Sequence, residues 1–224
     1  GVQTCALPIC LNWVDVRNRV NTLELAGLGD DNAVGPVGIG WEIPYYWLGF
    51  DEVTIGSNGW IGLGEAGQTP SISHCFPELP TAGGVADNIV APLLSDLNFG
   101  SNNANFPNPG RAYIWSDGLD SLVVQYQNVP FWINDTINWS GSATFQVIFD
   151  RSDSSIVFQY LTINRGSALD VATCSTDVVI GIENITGATG LEVQREQLPP
   201  NNYAIRFEHP GTVAAPSPDV RVYN

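Results

Sequence analysis

Asp51-Glu52-Val53-Thr54-Ile55-Gly56-Ser57-Asn58-Gly59-Trp60-Ile61-Gly62-Leu63 decides how this chain folds. Val53 and Ile55 alternate with polar neighbours, Ser57-Asn58-Gly59 reverses the direction, and Trp60-Ile61-Gly62-Leu63 runs back. Asn-Gly between two alternating apolar runs is the strongest short-range hairpin signal, because both residues tolerate the positive φ of a tight turn. Moving outward, the pattern repeats. Ala112–Trp115 turns through Ser116-Asp117-Gly118 into Leu122–Tyr126, and Thr144–Phe149 turns at Arg151-Ser152-Asp153 into Ile156–Tyr160. Val178–Ile182 turns near Asn184–Gly187 into Leu191–Val193, and Tyr203–Phe207 follows. Val14 with Val16, and Leu23 with Leu25, also alternate at a period of two. Hairpins at this spacing without helical periodicity predict an all-β chain, an antiparallel β-sandwich of two sheets in the jelly-roll or immunoglobulin-like manner. Two long loops interrupt it: Gly64 to Gly84, around Cys75, and the Asn-rich stretch Ser95 to Gly110.

The ends read differently. Gly1-Val2-Gln3-Thr4-Cys5-Ala6-Leu7-Pro8-Ile9 matches, codon by codon, the translation of a common sequencing-adapter oligonucleotide, so residues 1–9 are set aside as non-native. Residues 10–208 are expected to form one β-sandwich domain. Residues 209–224 open as a Pro-rich linker and end in Asp219–Asn224, which has strand character.

The net charge of −15 comes with eight arginines and no lysine. Such a chain lacks the basic surface that neutralises phosphates, which excludes nucleic acid and disfavours anionic membranes. No apolar run is long enough to insert into a bilayer. With Cys5 in the adapter segment, and Cys10 sharing a codon with it, Cys75 and Cys174 are the secure cysteines. A single disulfide between them is expected. Closing a loop of roughly 100 residues would contribute about 4–5 kcal/mol in the chain-entropy model.

Catalytic residues are not expected. His74 and His209 stand outside any nucleophile or metal motif, and carboxylate pairs for glycoside hydrolysis are not identifiable by spacing. No cofactor is expected, with calcium as the one candidate ligand. Asp30, Asp31 and Asp96 place hard oxygens in loops, although Asx residues also favour turns for their own backbone reasons. Sequons at Asn134, Asn138 and Asn184 are candidate glycosylation sites. Tyr46, Trp47 and Trp132 are candidates for an aromatic platform that stacks on sugar rings, against the blander use of aromatics in packing.

Gly40-Trp41-Glu42-Ile43-Pro44-Tyr45-Tyr46-Trp47-Leu48-Gly49-Phe50, continuing to Gly64, resembles the signature of nidogen-like extracellular β modules in bacterial and archaeal surface proteins. Ile89-Val90-Ala91-Pro92-Leu93-Leu94-Ser95-Asp96-Leu97 is similar to a second motif of that group. Asn128-Val129-Pro130, Thr144–Val147, Gly181–Asn184 and Ala204–Phe207 follow in order. The resemblance spans about residues 20 to 208. Two departures stand out: Trp47 where the family usually has Gly, and Gly56 where it has a strand residue. The resemblance implies an extracellular or cell-surface, prokaryotic, non-catalytic module with a structural or adhesive role. Because a sandwich has open edges, the terminal segments outside the core are candidates to donate strands to neighbouring copies, giving a homo-oligomer or a filament. The alternative is a carbohydrate-binding module of a larger secreted enzyme, with surface glycans as partners.

Overall fold

The computed structural model describes residues 5–64, 78–82, 87–99, 110–132, 139–166 and 178–209. No helix occurs among them. The strands are β1 (Cys5–Cys10), β2 (Leu23–Glu24), β3 (Ala33–Tyr45), β4 (Leu48–Gly56), β5 (Ile61–Leu63), β6 (Ile89–Ser95) and β7 (Arg111–Ser116). They continue as β8 (Ser121–Trp132), β9 (Trp139–Asp150), β10 (Ser155–Asn164), β11 (Val178–Glu183), β12 (Gly190–Arg195) and β13 (Tyr203–Glu208). Two antiparallel sheets pack face to face. One has seven strands in the order β1-β13-β10-β9-β8-β7-β2, the other six in the order β12-β11-β6-β5-β4-β3.

Period-two alternation turns one face of each strand into the core. Leu122, Val124 and Tyr126 of β8 meet Phe145, Val147 and Phe149 of β9, with Tyr126 and Phe145 stacked at 4.5 Å. Polar contacts from Tyr160, Trp41 and Tyr126 cross between the sheets. The Tyr160 hydroxyl donates to the Pro92 carbonyl at 2.6 Å, and the Trp41 indole donates to Ser116 Oγ at 3.2 Å. The Tyr126 hydroxyl lies 3.0 Å from the Gly56 carbonyl and 3.1 Å from that of Trp60. Buried phenols need such partners, and these tie one layer to the other.

The deciding hairpin forms, with a difference. Val53 pairs Leu63 and Ile55 pairs Ile61, and the connection between β4 and β5 is the four residues 57–60, one more than Ser57-Asn58-Gly59. Asn58 is buried and accounts for the change. Its Oδ1 accepts the Leu97 N–H at 2.9 Å, and its carbonyl accepts that of Ser95 at 3.2 Å. Gly59 sits at φ +71°, where a Cβ would lie 2.0 Å from the Leu93 carbonyl oxygen.

One other expectation needs correction. Val14 and Val16 alternate but form no strand. Val16 is fully buried and its N–H donates to Gln125 Oε1 at 3.0 Å, and residues 11–22 run as a strap across the seven-stranded sheet. Arg19 stacks over Trp115, whose indole donates to the Val20 carbonyl. Cys5–Cys10, mostly within the segment set aside as adapter-derived, pairs with β13 in register from Cys5↔Glu208 to Cys10↔Tyr203. Cys75, Cys174 and residues 210–224 lie outside the described residues.

Candidate functional site

The β3–β4 hairpin turns on Tyr46 and Trp47, because Tyr45 still pairs with Leu48. Tyr46 holds φ +51°, a region where side chains other than Gly, Asn and Asp are strained. Tyr45 anchors the hairpin from below. Its buried hydroxyl accepts the Glu183 N–H at 3.1 Å, and lies 2.7 Å from the Ile89 carbonyl and 2.9 Å from that of Glu183. From the opposite side, His209 Nε2 contacts the Tyr46 carbonyl at 2.8 Å. These contacts fix the turn against the ends of β6, β11 and β13.

Beside the turn opens a cleft of about 490 Å³, walled by Tyr46, Trp47, Leu48 and Phe50 on one side and by the 184–189 turn on the other. That turn is self-supporting: Asn184 Oδ1 accepts from Thr186 Oγ1 at 3.2 Å and from the Thr189 N–H at 3.1 Å. The rings of Tyr46 and Trp47 lie 5.5 Å apart, and Trp47 is 66% exposed. No charged side chain lines the cleft among the described residues.

Behind it stands a pair of carboxyls. Glu183 is buried, with its Oε2 accepting the Thr81 N–H at 2.5 Å. Burial, with Asp87 alongside, raises its pKa to about 7. Burial and then the nearby Glu183 push the Tyr46 phenol up as well. Glu192 Oε2 accepts the Leu79 N–H, so two carboxyls hold the 78–82 segment by its backbone.

The structure thus brings together Tyr46 and Trp47 of the expected platform but leaves Trp132 apart. Trp132 ends β8 and donates its N–H to the Asp96 carbonyl, next to the far end of β6 from the cleft. Asp30, Asp31 and Asp96 do converge, with one carboxylate oxygen from each within 4.8 Å of the others. Asp31 already accepts from Asn58 Nδ2, and burial with the Asp31 charge raises the Asp30 pKa. Ca²⁺ takes about six to eight oxygens, so carbonyl or water oxygens would have to complete a site here. Asn184 is 5% exposed, and its amide oxygen is engaged within the 184–189 turn. Asn134 and Asn138 lie outside the described residues. Sequence reading missed Glu183, whose only signal was an acidic residue inside an apolar strand, and its partner Asp87, which precedes β6.

A family model described as NIDO related matches residues 12–214. The chain belongs to the NIDO-related family. Membership of this group suggests an extracellular, non-catalytic module, in keeping with the nidogen-like motifs. Comparison with curated proteins and with solved structures returned no match. In this NIDO-related domain, Tyr46-Trp47 replaces the Tyr-Gly of the nidogen-like signature, which puts a large indole where that signature has a bare turn.

Proposed function

We propose that this NIDO-related domain is a non-catalytic structural or adhesive subunit of a prokaryotic cell surface that assembles with its own copies by exchanging a terminal strand. The observation that carries the reading is β1. It is the outermost strand of its sheet and pairs with β13 alone. Leu7 and Ile9 remain exposed, so main-chain bonds dominate its attachment. Main-chain pairing does not depend on which sequence supplies the strand. If residues 1–9 are adapter-derived, the β13 edge accepts a strand foreign to the domain, and equally one from a neighbour. Residues 11–15 precede the pinned Val16 and serve as the hinge for exchange. Sedimentation velocity and negative-stain microscopy test this. A chain from which residues 1–9 have been removed, leaving the β13 edge open, is expected to form concentration-dependent oligomers. A monomer at every concentration in that shortened chain would refute it.

A second reading, a carbohydrate-binding module of a larger secreted enzyme, is favoured by one observation: Tyr46 and Trp47 stand side by side on the wall of an open cleft.

A further inference from the structure

We infer that the cleft between the Tyr46-Trp47 turn and the 184–189 turn is a binding site for an uncharged sugar residue, stacked on the indole of Trp47. The inference rests on the carbohydrate-binding reading and gives that reading a place and a ligand class.

Four observations converge on it. First, the volume of about 490 Å³ falls within the range of small-ligand sites. Second, apolar exposure is concentrated there. Trp47, Leu48 and Ile185, three of the eight exposed large hydrophobic residues among those described, all line it. Scattered apolar residues need no explanation, but a cluster around a concavity does.

Third, the turn is built against local preference. A two-residue hairpin turn whose first residue has positive φ ordinarily takes Gly there, yet Tyr46 occupies that position at +51°. Strain of this kind is retained at ligand clamps, where surrounding contacts hold it. Here the Tyr45 hydroxyl and His209 supply those contacts. The result is a ring turned inward, with Tyr46 edge-on to Tyr45 at 4.8 Å, next to a ring turned outward.

Fourth, the polar chemistry suits hydroxyl groups. The polar lining residues are neutral: tyrosine, Asn88, Asn184, Thr186 and Thr189. Two of them keep a buried oxygen without a partner, the Tyr46 hydroxyl and Asn88 Oδ1. Ligand hydroxyls reaching the cleft floor, with a small opening of the side chains, would give each its missing bond. The C–H face of a sugar ring, meanwhile, would cover the indole. Anionic sugars are disfavoured, because the chain carries −15 overall and Glu183 lies close enough to raise the Tyr46 pKa.

The test is affinity electrophoresis of the full chain in native gels containing mannan, galactan, mixed-linkage β-glucan or polygalacturonate. Retardation by at least one neutral polysaccharide and none by polygalacturonate is expected. Trp47→Ala should weaken it about tenfold with an unchanged melting temperature, since an exposed ring contributes little to folding. Trp132→Ala should leave retardation intact. Loss with Trp132→Ala but not with Trp47→Ala would overturn this cleft and leave a carbohydrate-binding module elsewhere on the surface. Retardation by polygalacturonate alone would overturn the neutral-ligand assignment. No retardation in any gel would remove both the site and the reading beneath it.

Discussion

Glu183→Gln should stabilise this protein in alkaline buffer and leave it nearly unchanged in acid. Glu183 is buried at the end of β11, and its pKa is raised from 4.5 to about 7, first by burial and then by Asp87. The folded state therefore holds this proton more tightly than the unfolded chain does. Stability from the neutral carboxyl is complete below about pH 4.5, falls as pH rises towards 7, and is gone above it. At 1.36 kcal/mol per pH unit, the interval amounts to about 3 kcal/mol. Part of that is recovered when the 78–82 segment yields and water reaches the ionised group, so about 2 kcal/mol is the expected gain at pH 8. Glutamine is neutral at every pH, and its amide oxygen still accepts the Thr81 N–H that Glu183 Oε2 accepts at 2.5 Å. Urea unfolding followed by tryptophan fluorescence, at intervals from about pH 5 to about pH 8, reads the difference directly. The two stability curves should meet near pH 5 and diverge above it. Parallel curves would refute the reasoning, because they would mean that Glu183 ionises equally readily in both states.

Gly59→Ala should lower stability by about 3 kcal/mol, roughly 6–12 °C in Tm, because the added methyl meets the Leu93 carbonyl at a positive φ. Calorimetry showing a change below about 1 kcal/mol would mean that the buried turn can move away from β6. Asp30→Asn should raise stability at pH 7 in EDTA by about 0.2–1 kcal/mol. Burial and Asp31 raise the Asp30 pKa, so its charge becomes more costly as pH increases. Surface screening keeps the gain small, and a loss of stability in EDTA would contradict the sign.

The hairpins from β7 to β10 were legible from their turn residues and the aromatic and β-branched runs that flank them, although β8 and β10 are buried on both faces through much of their length. β6 was legible only as a motif. Its residues are all buried, since Val90 and Leu93 enter the main core while Ile89, Ala91 and Leu94 pack outward with Trp60, Leu79 and Val179. Apolar on both faces, with a register shift between its pairings at Leu94 and Ala91, it shows no period of two. β3 was hidden by Gly35, Pro36, Gly38 and Gly40, although Ile39, Trp41, Ile43 and Tyr45 do alternate into the core. Val14 and Val16 misled in the opposite direction, because alternation cannot reveal that a glutamine amide will take the place of a neighbouring strand. At the cleft, the aromatics themselves could be read. Their opposing wall could not, since it arrives from a turn 138 residues after Tyr46, brought in by the seating of β11 beside β6.

In the chain as given, whose first nine residues are set aside as non-native, the β1–β13 pairing also sets how the domain bears load. Cys5 lies opposite Glu208, so the two ends of the paired strands leave side by side at one end of the sheet. Tension applied at residues 5 and 208 would act across that ladder, and its hydrogen bonds would yield one after another instead of sharing the force. Beyond Cys10 the peeling chain meets the Val16–Gln125 bond and the Arg19–Trp115 stack, which resist before the core is reached. A domain held in this way extends first by a short, reversible slip, and its hydrophobic layers stay closed while it does so.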